Sequence, residues 1–120
     1  MKRILVPTDF SKHAEYALKV AAQIAKKNDG EIFLLHMLEL PTTGNDAVSR
    51  AHDIPELMFF KNAAVAKLDD LMDADYLNGV KISRIIQFEM AFEGIIKNGE
   101  AHNADLIVMG SHGANGFQEM

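Results

Sequence analysis

Three stretches of the chain are apolar almost without interruption. They are Ile4-Leu5-Val6, Ile32-Phe33-Leu34-Leu35-His36-Met37-Leu38 and Asp105-Leu106-Ile107-Val108-Met109. A strand with one wet face alternates apolar and polar residues, so runs of this kind predict strands buried on both faces, as in parallel sheets covered by helices. A fourth strand is predicted between the last two by Val80, Ile82, Ile85, Ile86 and Phe88, whose alternation is less regular.

Helical periodicity fills the gaps. Ser11 can cap a first helix, in which Ala14, Ala17, Leu18, Ala21, Ile24 and Ala25 recur on one face of small residues. Lys26 and Lys27 suit its C-terminal dipole, and Gly30 is the expected stop. Pro41 to His52 is polar and predicts a loop. Asp53 and Glu56 form a capping-box pattern, with Pro55 tolerated in the first turn. The helix they open would turn Leu57, Val65, Leu68, Leu71 and Met72 to the core, and Gly79 would break it. A third helix is expected over Ala91 to His102, with Ile95 and Ile96 inward, although Gly94 and Gly99 each cost about 1 kcal/mol there relative to alanine. The order βαβαβαβ predicts parallel strands, right-handed crossovers and helices on both faces.

Bulk properties narrow the class. A chain of 120 residues fits one domain. Its 48% hydrophobic and 24% charged residues are ordinary for a globular protein and argue against global disorder. The net charge is -5 and the Lys and Arg residues are scattered, which argues against a nucleic-acid or membrane surface. The absence of cysteine excludes disulfides, zinc thiolates and a cysteine nucleophile. No apolar run approaches the roughly 20 residues of a membrane span. The run before Pro7 falls short of the ~7–15 residues of a signal core, so a cytoplasmic protein is expected.

In open parallel sheets, ligands bind beyond the carboxyl ends of the strands. Two loops fall there: Pro7-Thr8-Asp9, and Gly110-Ser111-His112-Gly113-Ala114-Asn115-Gly116. The three glycines of the second allow close approach and positive φ, and its amides with Ser111 and Asn115 could cradle phosphate. A structural turn fits the same spacing equally well. Asp9 is either a helix-capping residue, the simpler reading, or an acceptor for a nucleoside amine or hydroxyl. No Walker A loop and no Gly-x-Gly-x-x-Gly fingerprint is present; Gly94 and Gly99 have the outer spacing of the former, but Glu100-Ala101 follows. His112 reads as a solvent-facing loop residue and His36 as a satisfied core histidine. His13, His52 and His102 have no ligand-like spacing, so no metal site is expected from the protein alone. Met37 and Met109 read as core or pocket wall, and Glu56, Asp69, Asp70, Asp73 and Asp75 as a solvated acidic face.

Ile4-Leu5-Val6-Pro7-Thr8-Asp9-Phe10-Ser11, Leu34-Leu35-His36-Met37 and Ala104-Asp105-Leu106-Ile107-Val108-Met109-Gly110-Ser111-His112-Gly113 occur in that order. Together they resemble the signatures of the universal stress protein family, over the whole chain. The resemblance implies an α/β, Rossmann-like fold of the adenine nucleotide alpha hydrolase-like type, an open parallel sheet ordered 3-2-1-4-5, frequent ATP binding and frequent dimerisation. Carried over by position, Pro7, Thr8 and Asp9 resemble the loop bordering the adenosine, and Met37 the residue whose backbone meets adenine. Met109 and Gly110 resemble the ribose side, and Gly113 the first phosphate-contacting glycine.

The family's nucleotide motif is Gly-x2-Gly-x9-Gly followed by a small hydroxyl residue. Gly110 and Gly113 fit its first half, and the next glycine would fall past Met120. The expectation is therefore a single domain over 1–120 that lacks the rest of the phosphate cradle and the fifth strand. An apolar fourth strand left as an edge invites pairing. A longer chain, a homodimer or a second domain of the same family is expected to cover it.

The leading functional reading is an ATP-binding regulatory domain of the stress response, with Mg2+ or Mn2+ carried on the phosphates. The alternative is a nucleotide-free module of the same fold that works through protein contacts. A third reading, slow ATP cleavage, has only Ser111 and His112 to draw on, adjacent and without a third partner; no catalytic residue is assigned.

Overall fold

The computed structural model describes residues 2–38, 54–88, 91–110 and 117–119. The elements run β1 (Arg3–Pro7), α1 (Lys12–Asn28), β2 (Glu31–Met37), α2 (Ile54–Met72), a 3-10 turn (Asp75–Leu77), β3 (Lys81–Gln87), α3 (Ala91–Ala101), β4 (Leu106–Val108) and β5 (Phe117–Glu119). The strands lie in the order β3-β2-β1-β4-β5, and β1 to β4 are mutually parallel. This is the expected 3-2-1-4 sheet.

The outer edge of β4 differs from expectation. Phe117–Glu119 pairs with it antiparallel, Val108 opposite Phe117 and Leu106 opposite Glu119. The partner strand thus comes from the chain itself, and it is not the parallel fifth strand that the resemblance implies.

The uninterrupted apolar runs are explained by a sheet covered on both sides. Ile4, Val6, Ile32, Leu34 and Val108 face α1 together with Leu68 of α2 and Leu77. Leu5, Phe33, Leu35 and Ile107 face the other way, against Ile95 of α3 and Ala104. Ile4, Leu5, Leu34 and Leu35 have no exposed surface, and such burial stabilises by roughly 1.5–3 kcal/mol per side chain before entropy is counted. β3 is the far edge of the sheet, with β2 as its only strand partner among the described residues. Its isoleucines are only half-buried, which is why its alternation is the least regular.

Ser11 caps α1 as expected, its side chain accepting the Ala14 N–H at 3.2 Å. The helix buries Ala14, Ala17, Leu18, Ala21, Ala22 and Ala25, with Ala22 in the place expected for Ile24, which is half-buried. Its stop is also displaced by one residue. Asp29, not Gly30, adopts the left-handed conformation, at φ 51°. Gly30 is required for space: a β-carbon there would lie 3.0 Å from the Lys2 carbonyl oxygen and 3.1 Å from Ala25 Cα. In α2, Ala64 and Leu68 are buried while Val65, Leu71 and Met72 are half-buried. Asp53 of the expected capping box and the 41–52 loop lie outside the described residues, as does the side chain of Leu57. α3 forms across both of its glycines because Ile95, 6% exposed, is anchored in the core.

At the amino end of the sheet Arg3 ties β1 to the segment before β4. Its N–H donates to Asp105 Oδ2 at 2.8 Å, its Nε–H donates to the His102 carbonyl at 2.8 Å, and its guanidinium lies 5.1 Å from the centre of the Phe33 ring.

Candidate functional site

After β1 the chain builds β2 and β3 on one side and then crosses to place β4 on the other. Loops leaving β1 and β4 must diverge at that reversal, and a crevice opens between them. A cleft of about 350 Å³ lies there, at the carboxyl ends of the strands. Pro7, Thr8 and Asp9 form one wall, Met109 and Gly110 another, and Met37 stands at the end of β2. Six of the seven residues singled out from the sequence thus surround one space. The seventh, Gly113, lies outside the described residues, as do Ser111, His112, Asn115 and Gly116.

Residues 7–11 are held by a chain of short-range hydrogen bonds. Thr8 N–H donates to the Leu35 carbonyl at 2.8 Å, extending the ladder past β1. Thr8 Oγ1 accepts the Phe10 N–H at 3.1 Å, and Asp9 Oδ1 accepts the Ser11 N–H at 2.9 Å. Asp9 thus closes a turn onto Ser11, the residue that caps α1, rather than capping the helix itself, and it also lines the cleft. Phe10, between them, has φ 66°, in the left-handed region. For a residue with a β-carbon that costs about 1–2 kcal/mol. Two groups lie against its ring: the His36 ring 4.5 Å away and Lys67 Nζ 5.2 Å from its centre.

His36 Nδ1–H donates to the Thr8 carbonyl at 2.9 Å. A carbonyl can only accept, so Nδ1 carries a hydrogen. His36 is a satisfied histidine, as expected, but it also lines the cleft. So do Ala14, Leu35 and Ile95, which periodicity marks only as core. Their place in the site follows from the strand order, which the local pattern does not contain.

Gly110 plays a different part from the one its spacing suggests. Gly79 alone among the described glycines has a positive φ. A β-carbon at Gly110 would overlap the His13 carbonyl and come within 2.9 Å of the Ala14 nitrogen. Glycine lets the exit of β4 rest on the first turn of α1.

The cleft is therefore an apolar slot of Leu35, Met37, Ile95 and Met109 with Thr8, Asp9 and His36 at its polar rim. Pockets of that size and character hold small molecules, the apolar walls taking a flat ring and the polar groups orienting it. Among the described residues no group of three or more His, Asp or Glu is placed to hold a metal ion. No helix among them is long and apolar enough to cross a membrane.

Residues 1–120 match the Universal stress protein family. The chain belongs to the universal stress protein family. Universal stress protein MJ0577 of Methanocaldococcus jannaschii is 30% identical, over 99% of this chain and 82% of its own length. Its solved structure matches with a TM-score of 0.71, covering 93% of this chain and 76% of that one. Universal stress protein UspA from Lactobacillus plantarum shares the fold at a TM-score of 0.76 and 21% identity, over 95% of this chain and 79% of that one. A universal stress protein from Archaeoglobus fulgidus, solved in complex with dAMP, shares it at 0.57 and 20% identity, over 91% and 80%. Pro7 to Asp9 and Met109-Gly110, which fall within the stretches that resemble the universal stress protein signatures, are walls of the cleft described above.

Proposed function

We propose that this universal stress protein domain binds ATP, with the adenosine in the cleft between Thr8-Asp9 and Met109-Gly110, and that binding serves regulation in the stress response. The observation that carries the reading is the convergence of two loops, about a hundred residues apart in sequence, on one apolar slot with an acidic rim. Leu35, Met37, Ile95 and Met109 would sandwich the base. Asp9 would accept from a nucleoside amine or hydroxyl, and the Met37 backbone would meet the adenine edge. The phosphates would run from Gly110 toward Gly113, with Mg2+ or Mn2+ held by them rather than by a protein ligand set. The dAMP complex of the Archaeoglobus fulgidus protein adds support, since dAMP carries the same adenine ring as ATP, on a deoxyribose.

A second reading has its own observation. Met58, Phe59 and Phe60 of α2 are 51%, 69% and 50% exposed, an apolar patch of the kind that marks protein contacts. A nucleotide-free interaction module would use it.

Calorimetric titration of the folded chain with ATP and Mg2+ separates the two. Saturable heat that falls at least about tenfold in affinity in Asp9→Ala supports the nucleotide reading, a loss of the size expected for a hydrogen bond to a charged group. A folded chain that takes up no ATP at millimolar concentration leaves the interaction module as the better account.

A further inference from the structure

Phe10 stands where the candidate cleft meets α2. Thr8 and Asp9, just before it in the chain, line the cleft, and so does His36, whose ring lies 4.5 Å from its own, tilted by 38°. The same ring is a wall of a second cleft of about 300 Å³, with Glu15, Lys67, Asp70, Leu71 and Ala74. Lys67, Asp70 and Leu71 belong to α2, and no α2 residue lines the first cleft among the described residues. Phe10 therefore links a slot with the character of a ligand site, through its neighbours Thr8, Asp9 and His36, to a surface on α1 and α2.

Its backbone is poised as well as its ring. The left-handed φ of Phe10 is maintained by Thr8 Oγ1 and Asp9 Oδ1, which accept the amides on either side of its carbonyl. Both acceptors belong to residues that a ligand in the first cleft would touch. A ligand that bonds to either, or presses on the His36 ring, changes how firmly that conformation is held. Such a difference in contact energy is what shifts a conformational equilibrium.

We propose that Phe10 couples occupancy of the first cleft to α2, so that a bound nucleotide is read out at the second cleft, around Lys67 and Asp70. The proposal rests on the nucleotide reading above and adds its output. The coupling is reciprocal: whatever binds at the second cleft alters nucleotide affinity by the same factor.

The test is amide hydrogen exchange on the full chain, with and without saturating ATP and Mg2+, in wild type and in Phe10→Gly. Glycine keeps the left-handed turn accessible and removes the ring. In wild type, ATP should change exchange in α2 around residues 64–72 by about fivefold or more, the low end of allosteric couplings. In Phe10→Gly, ATP should still bind and the α2 response should vanish. A response retained in Phe10→Gly overturns the proposal. So does wild type that binds ATP with α2 unmoved, an outcome that leaves the nucleotide reading standing. Wild type that binds no ATP removes both. Should Phe10→Gly lose ATP binding, Phe10→Leu is read in the same way; loss in both makes Phe10 part of the binding wall itself and overturns its role as a coupler.

Discussion

Gly110 rests on the carbonyl of His13 so closely that no β-carbon fits between them. The contact joins the end of β4 to the first turn of α1, where Gly110 and Ala14 both line the cleft. Its partner is backbone, which cannot swing aside as a flexible side chain can. Gly110→Ala should cost about 1–3 kcal/mol, the usual range for overpacking. Urea denaturation measures it, and ATP titration of the same variant should show weakened binding because the cleft wall has moved.

Asp29 and Gly30 make opposite demands although they are adjacent. Asp29→Gly relieves a left-handed residue and should leave stability unchanged or raise it by up to about 1 kcal/mol. Gly30→Ala keeps a permitted φ but drives a methyl group against Lys2 and Ala25, and should lose about 1–2 kcal/mol. The ordering of the two melting temperatures around wild type checks both.

Thr8 is 8% exposed, and its hydroxyl satisfies the Phe10 amide. Thr8→Val keeps the shape and strands that amide, for a loss of about 1–2 kcal/mol. Thr8→Ser restores an acceptor and should recover most of it. A loss in Thr8→Ser with none in Thr8→Val would mean that packing by the methyl group, not the hydrogen bond, is what matters.

The Tyr76 hydroxyl is buried without a hydrogen-bond partner among the described residues. Its pKa is raised, first by burial and then by the Glu15 carboxylate. The folded protein thus holds this proton more tightly than the unfolded chain does. The associated stability is complete below about pH 10, the ordinary tyrosine value, and drains away as pH rises through the elevated folded value. Tyr76→Phe should be neutral to stabilising by about 1 kcal/mol at pH 7, and its alkaline loss of stability should be shallower than that of wild type.

What could be read from the residues and what could not have separate physical origins. Ile4-Leu5-Val6 and Leu106-Ile107-Val108 announce strands covered on both faces, and Ser11 announces its helix, because burial and capping are local requirements. The walls Pro7 to Asp9 and Met109-Gly110 were legible because strand ends in a parallel sheet are where loops gather, and because the universal stress protein signature marks the same positions. The inclusion of Ala14, His36 and Ile95 was not legible, since it depends on which strands become neighbours. The left-handed Phe10 was hidden for another reason: Phe is a residue that local preference keeps out of that region, and only the acceptors Thr8 and Asp9 around it hint at a turn. Gly30 and Gly110 were recognisable as necessary glycines, but the sequence suggested conformational freedom where the structure shows crowding. The antiparallel return of β5 carries no pattern long enough to read.

The placement of β1 has a consequence for the order of events during synthesis. It leaves the ribosome before the other described strands, yet it lies inside the sheet, paired on one side with β2 and on the other with residues 106 and 107. A nascent chain can zip β1 to β2 early, but the other flank of Ile4 and Leu5 has no strand to meet until about a hundred more residues are made. At about 5–20 residues per second that is roughly 5–20 s with a bare apolar edge showing. Chains stalled before β4 should therefore be sticky intermediates that chaperones hold, until the arrival of β4 closes the gap that Arg3 and Asp105 then clasp.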